Sequence, residues 1–227
     1  VLSSLIFIGA YWFSQYKYGK KNKLRVDINY SKPPLLLNDS LVNKLLTQNL
    51  SSKFSLQKDS LDLNILESKM NKIPEVENTE IFLLPDGVMS ILITDRKPLF
   101  KFDSTPSVYS DANGVLFNFN NIDSVPYPSF KTTSSNISIE TTALLIKNLK
   151  ADPFLSEELK SVRLNDNQYQ LKLKSFDFKI IFGSTDRIKE KIKKLKVFCA
   201  FQTLQDSLNH FKKINLSYKN QVVASTP

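Results

Sequence analysis

The feature that most constrains this sequence is a change of pattern at Asp95-Arg96-Lys97-Pro98. Before it, the predicted order is a strand, two helices and two strands, and the last two strands are joined by Pro85-Asp86-Gly87, a turn with the glycine that a positive φ favours. After it, short strands and turns dominate. At 227 residues the chain has room for two modest cores. We predict an α+β fold: a β-α-α-β-β domain over 24–97, and a mostly antiparallel β domain with flanking helices over 98–227.

The two helices of the first domain are predicted from capping residues and apolar spacing. Asn38-Asp39-Ser40 offer caps for the first helix, and the second is expected to start near Asp62 and to end at Pro74. The predicted apolar stripes are Leu41, Val42, Leu45 and Leu46 in the first helix, and Ile65, Leu66, Met70 and Ile73 in the second.

The second domain begins with strands that reverse at Asp111-Ala112-Asn113-Gly114, followed by a helix over 139–149 and a three-stranded meander. In the middle strand of the meander, Leu171 and Leu173 alternate with polar residues, which predicts one buried face. The longest predicted helix spans 185–208, and the chain closes with a last β-strand or hairpin. The stripe of that helix is Ile188, Ile192, Leu195 and Cys199, with Lys189, Lys193, Lys194 and Lys196 largely away from it.

The first 16 residues, VLSSLIFIGAYWFSQY, are apolar and aromatic and are followed by a lysine-rich stretch. A bilayer span needs about 20 apolar residues, so we interpret 1–18 as the C-terminal part of a truncated transmembrane helix with an aromatic belt. A secretory signal is the rival interpretation, but no A-x-A-like cleavage site follows the run. The lysines favour a cytoplasmic flank, although long domains translocate largely regardless of such charges.

The sequence offers little for catalysis, metals or cofactors. His210 is the single histidine and Cys199 the single cysteine, so a histidine pair for a metal and an internal disulfide are both excluded. We expect Cys199 to be a small core residue, and the adjacent carboxylates Glu157 and Glu158 not to face each other. The net charge of +9 is spread along the chain. The basic helix face over 187–196 is more typical of a solvated surface than of a phosphate or nucleic-acid site. We predict a non-enzymatic protein that binds no nucleic acid.

The last strand, predicted over Asn215 to Ala224, presents an open sheet edge. A segment of another protein could add there as a strand. Alternatively, it is an ordinary edge strand protected by Lys219 and the final proline, and the pattern alone does not separate the two.

Several motifs, in order along nearly the whole chain, resemble the FtsQ/DivIB family of bacterial cell-division proteins. Asp95-Arg96-Lys97-Pro98 resembles the acidic-Arg-x-Pro ending of that family's POTRA domain, and it follows a leucine-rich helix, a proline entry and a proline turn. Residues 109–117 resemble its D-x-x-G-x-x-F hairpin. The other matches are Phe182-Gly183 with Glu190-Lys191 and Leu195, for a strand-to-helix element, and residues 214–224, for the closing strand.

The resemblance implies a single-span protein of the inner membrane, with a POTRA domain and a β domain on the extracytoplasmic side at the division site. Such a protein is a non-enzymatic scaffold that links early and late division proteins. The closing strand would pair with coiled-coil partners of the FtsB/DivIC and FtsL type. We expect the contact residues to be Ser217, Tyr218, Asn220, Val222 and Val223, with Tyr218 as an aromatic anchor.

The same resemblance assigns Asp95, Arg96 and Pro98 to the domain junction, where Pro98 would fix the direction of the chain. Two other classes of protein are alternatives. A POTRA-containing component of envelope transport or barrel assembly would need a barrel of long amphipathic strands, and the sequence has no such run. A membrane-tethered enzyme has few residues on which to build a site.

Overall fold

The computed structural model describes residues 7–13, 25–37, 42, 62–105, 107–119, 125–133, 138–204 and 211–226. The chain divides into two compact units, 1–96 and 97–227. Residues 7–13 are helical and exposed. Within the described ranges, none of the helices has the length and apolarity that crossing a bilayer requires. The remaining residues of the predicted membrane segment, 1–18, lie outside the description.

The first unit contains a three-stranded sheet in the order β1-β3-β2. β1 (Arg25–Tyr30) pairs in parallel with β3 (Val88–Asp95), and β2 (Val76–Leu83) pairs antiparallel with β3. Helix α1 (Leu63–Met70) begins after the N-cap Asp62, whose carboxylate accepts a hydrogen bond from the Ile65 amide.

The core of the first unit confirms most of the predicted stripe on α1. Leu66 and Met70 are buried and pack with Met89, Ile91 and Ile93 of β3. Ile65 is an exception, because it is 45% exposed and lies on the solvent side of the helix. Of the first predicted helix, only Val42 is described, and it is helical and buried.

The second unit is built on a nine-stranded sheet in the order β12-β11-β10-β9-β8-β7-β4-β5-β6. The strand bounds are β4 Phe100–Phe102, β5 Val108–Ser110, β6 Leu116–Asn118, β7 Ser129–Thr132, β8 Leu159–Asn165, β9 Gln168–Leu173, β10 Lys179–Gly183, β11 Lys213–Asn215 and β12 Val223–Ser225. The helices are α2 Ile139–Lys150, α3 Pro153–Glu158 and α4 Ile188–Leu204. The sheet is mixed, and most of its pairings are antiparallel, as predicted.

Three of its pairings are parallel: β4 with β7, β7 with β8, and β10 with β11. Each connects strands that are separated by other elements, as a parallel pairing requires. α2 and α3 lie between β7 and β8, and α4 lies between β10 and β11.

The core of the second unit lies between this sheet and helices α2 and α4. The predicted face of β9 is confirmed, because Leu171 and Leu173 are buried with Phe130, Val162 and Ile180 from the neighbouring strands. Leu195 and Cys199 of α4 pack on the same core, as the stripe predicts. The described part of α4 begins at Ile188, three residues later than predicted, and residues 205–208 of the predicted helix lie outside the described residues.

Candidate partner-binding site

The closing segment of the second unit is a hairpin rather than one strand from Asn215 to Ala224. β11 and β12 pair antiparallel, with Ile214 opposite Ala224, and residues 216–222 connect them. β12 is the outermost strand at this side of the sheet, and only β11 pairs with it among the described residues. The hairpin therefore keeps an edge available for strand addition, but the edge is three residues long.

The five predicted contact residues fall on different parts of this hairpin. Tyr218 and Asn220 are exposed in the connecting loop, and Val223 is exposed in β12. Val222 is partly buried and packs against the core. Ser217 is half-buried beside Gly183. The structure thus exposes three of them around β12, whereas Val222 and Ser217 are partly buried and support the hairpin.

Two cationic side chains, one directly before α4 and one within it, hold the connecting loop by its carbonyl oxygens. Arg187 Nη2 donates to the Ser217 oxygen at 3.1 Å. Lys194 Nζ donates to the oxygens of Tyr218, at 2.6 Å, and Lys219, at 3.0 Å. The Asn215 side-chain oxygen accepts from the Ser217 amide at 2.9 Å. These bonds fix the loop in one conformation, which lowers the ordering cost of binding a partner there.

Arg187 shares its carboxylate partner, Asp186, with a buried lysine. Lys191 is 1% exposed, and its Nζ donates to Asp186 Oδ1 at 2.6 Å and to the Ser184 carbonyl at 2.9 Å. The same Nζ lies 5.2 Å from the centre of the Phe182 ring. Hydrogen bonds from Lys191, Ser184 and Arg187 hold the pKa of the Asp186 carboxyl well below its usual value. This network anchors the first turn of α4 to the end of β10.

Gly183 lets the loop approach the end of β10 closely. Its φ is +78°, and a Cβ built there would lie 2.5 Å from Ser217 Oγ and 3.3 Å from Ser217 Cβ. A side chain at this position would be strained by the backbone conformation and would also push against the loop.

Replacing Gly183 by alanine is expected to cost about 2 kcal/mol and to displace the loop, because the left-handed backbone and the contact with Ser217 both become unfavourable. Hydrogen exchange of the β11 and β12 amides, measured by mass spectrometry, should speed up in G183A. Ser217→Gly in the same chain should recover part of the protection. Unchanged exchange in G183A would contradict the close packing.

An apolar groove of about 370 Å³ runs beside the hairpin. Its walls are Val197, Phe198 and Phe201 of α4 and Asn220, Gln221 and Val222 of the loop, with Lys193 and Lys194 at the rim. Along α4, Val197 is 63% exposed, Phe201 48% and Leu204 86%. These three residues are spaced at helical intervals and form one apolar stripe. An apolar surface next to an open sheet edge is typical of a protein-binding site.

The side chains of Asp95 and Arg96, two residues of the predicted junction, form hydrogen bonds with backbone groups of the first unit. Asp95 Oδ2 accepts from the amides of Leu35, Leu36 and Leu37, at 2.7, 2.8 and 3.3 Å. Arg96 is buried and donates to the oxygens of Pro74 and Val76, both at 2.6 Å. Pro98 is the second residue of the second unit, and its effect on the junction stays a prediction.

The remaining candidates for chemistry are accounted for by packing or by internal contacts. Cys199 is buried, and that burial raises the pKa of its thiol to about 12, which makes a nucleophilic role unfavourable. Glu158 accepts from the amide and hydroxyl of Ser175. His210 lies outside the described residues. No group of acidic, histidine or cysteine side chains within the described ranges is arranged to hold a metal ion.

Sequence reasoning placed both Arg187 and Lys194 on a solvated helix face. The structure uses both to hold the loop, and it uses Lys196 in an ion pair with Asp152. Arg187 adopts a φ of +47°, a left-handed backbone conformation that cannot be predicted from an arginine in the sequence. The burial of Lys191 had one signal in the sequence, because this lysine directly precedes Ile192 and so lies at the border of the apolar stripe of α4.

Comparison with known families gives a match to the family model described as FtsQ/DivIB, C-terminal related, over residues 97–225. The match covers more than half of the chain and includes the hairpin and the groove. No curated protein matches the sequence.

Proposed function

The chain belongs to the FtsQ/DivIB, C-terminal related family, whose members act in cell division, and from this membership we propose that it is a non-enzymatic scaffold of the division machinery. It links early and late division proteins at the septum. It is a single-pass protein of the inner membrane, its first unit is a POTRA domain, and its body faces the extracytoplasmic side. Its partners are single-span coiled-coil proteins of the FtsB/DivIC and FtsL type.

The observation that carries this proposal is the open edge of β12 beside the apolar groove of α4. A partner strand that pairs with β12 gains main-chain hydrogen bonds, and every second side chain of that strand points to the helix-covered face of the sheet. The groove lies on that face, where Val222 meets Val197 and Phe201. Strand pairing then gives affinity. The groove selects partner strands in which a large apolar residue points to the helix-covered face beside the groove.

The predicted contact residues have different parts in this arrangement. Tyr218 is 49% exposed and can cover an added strand with its ring, while Val223 and Asn220 lie on the exposed side of the hairpin. Val222 forms a wall of the groove. Ser217 acts indirectly, because it sets the position of the loop against Gly183.

The proposal is tested by site-specific photo-crosslinking in cells that carry this chain as their working copy. A benzoylphenylalanine at Tyr218 or at Val222 is expected to capture a small single-span coiled-coil protein, identified by mass spectrometry. Leu144 is the matched control, since it is apolar, 51% exposed and on α2 of the same unit, away from the hairpin.

Capture of the same coiled-coil protein at Tyr218 and Val222 but not at Leu144 supports strand addition at this edge. Capture of an outer-membrane barrel protein would favour a role in envelope transport or barrel assembly. Equal labelling at all three positions would show that the hairpin is not a specific contact.

A further inference from the structure

The face of the nine-stranded sheet that points away from α2 and α4 is strongly basic. Along β8 and β9, buried apolar residues face the helices, and the exposed or half-buried residues that alternate with them form the opposite face. In β10, Lys179 is exposed on that opposite face, whereas Ile181 is buried. The cations on this open face are Lys101 of β4, Lys131 of β7, Arg163 of β8, Lys172 of β9, Lys179 of β10 and Lys213 of β11.

The strand register brings these cations together. Lys179 is directly opposite Lys213, and Lys131 is directly opposite Arg163. Because Leu171 is opposite Ile180, Lys172 lies next to Lys179. Neighbouring strands are about 4.8 Å apart, so Lys172, Lys179 and Lys213 form a row across three strands.

Most of this charge is not neutralised within the described part of the chain. Lys131 pairs with Asp103 at 3.5 Å. Arg163, Lys172, Lys179 and Lys213 have no ion pair with any described residue, in contrast to Lys191, Lys194 and Lys196 of α4. Like charges directly opposite each other on neighbouring strands destabilise a sheet. The row is therefore not explained by the stability of the fold.

A concave groove of about 270 Å³ lies in the middle of this face. Its lining combines the cations Arg163, Lys172 and Lys179 with Ser161, Gln170 and Asp177. The guanidinium of Arg163 is suited to two parallel hydrogen bonds with one carboxylate. Ser161, Gln170 and Asp177 add acceptors that can bind the amides of a peptide.

We propose that this open face, with the groove at its centre, binds an acidic peptide segment of a partner protein. Two features favour a peptide over other anions. A planar membrane cannot enter a concave groove, and Asp177 within the groove repels an evenly charged polyanion but accepts hydrogen bonds from peptide amides. The site is separate from β12 and from the groove beside α4, so it can be occupied together with the contact proposed above.

The test measures binding of a fluorescent 12-residue peptide of alternating glutamate and serine to the purified full chain in a neutral detergent, at two salt concentrations. The variant R163Q/K172Q/K179Q removes three charges from the open face. The control K147Q/K150Q/K189Q removes three charges from α2 and α4, where these side chains make no hydrogen bond or ion pair with described residues. A glutamine version of the peptide and inorganic polyphosphate serve as competitors.

The expected result is that the first variant weakens binding of the acidic peptide by about tenfold and the control variant by less than about twofold, since three charge-assisted contacts are lost only in the first. The glutamine peptide should not compete, and polyphosphate should compete less well than the acidic peptide at equal charge. Equal losses in the two variants, or stronger competition by polyphosphate, would overturn the assignment. Failure of this test would leave the crosslinks at Tyr218 and Val222 unaffected, because those residues lie outside the open face.

Discussion

Replacement of Arg96 by alanine is expected to lower the free energy of unfolding of the first unit by about 3 kcal/mol, because it removes two charge-assisted hydrogen bonds from a buried position. The Arg96 side chain binds the oxygens of Pro74 and Val76, and its own amide donates to the oxygen of Glu75 at 3.0 Å. One residue thus binds the carbonyl oxygens of three consecutive residues, Pro74 to Val76, where the chain enters β2. Without the guanidinium, the two carbonyls at Pro74 and Val76 lose their buried donors.

Hydrogen exchange of the full chain separates the two units and measures this effect. Amides of α1 and β2 should exchange much faster in R96A, while those of β8 and β9 in the second unit keep their protection. Arg25→Ala is the control, since Arg25 is exposed at the start of β1. R96K should recover little, because one ammonium cannot reproduce the two-pronged geometry of the guanidinium. Equal protection of α1 in R96A and R25A would refute the role given to Arg96.

The Asp95-Arg96 pair also shows where sequence reasoning stops. The motif predicts the end of the first domain, and the residues do stand at the end of β3. Its contacts could not be predicted, because Asp95 binds the amide of Leu35, which is 60 residues away in the chain. Local pattern carries no information on pairing at that separation. The helix start near Asp62 and the alternation of Leu171 and Leu173 depend on neighbours in the sequence, and both were predicted correctly.

The closing hairpin illustrates the same limit at the candidate site. The sequence predicted either a strand or a hairpin here, and β11 and β12 are only three residues long each. Strands this short have no periodicity that could fix where one ends and the next begins. The loop between them is placed by Lys194 of α4 and by Arg187, which directly precedes that helix, and Lys194 does not differ by type from the other lysines of α4. The position of a closing strand or hairpin could be predicted from the sequence, but the hydrogen bonds that hold its loop could not.

Replacement of Gly114 by alanine is expected to lower the free energy of unfolding of the second unit by about 3 kcal/mol, of which about 1 kcal/mol comes from the left-handed backbone and the rest from overpacking. The turn over 111–114 was predicted, and Asp111 Oδ1 closes it by accepting from the amides of Asn113 and Val115, at 2.9 and 2.8 Å. Its close approach to α2 was not predicted. A Cβ at Gly114 would lie 2.9 Å from both the Cα and the amide nitrogen of Glu140.

Gly87 provides a matched control that separates the two causes. Its φ of +84° is nearly the same as the +85° of Gly114, but a Cβ built at Gly87 meets no atom within 4 Å. G87A should therefore cost its unit only about 1 kcal/mol, the strain of the backbone alone. Asparagine tolerates positive φ better than alanine does, so G87N should be nearly neutral while G114N stays strongly destabilising. The measurement is hydrogen exchange of the β2–β3 and α2 amides in the full chain. If G114A and G87A cost the same, the contact between this turn and the first turn of α2 contributes nothing, and the glycine serves the turn alone.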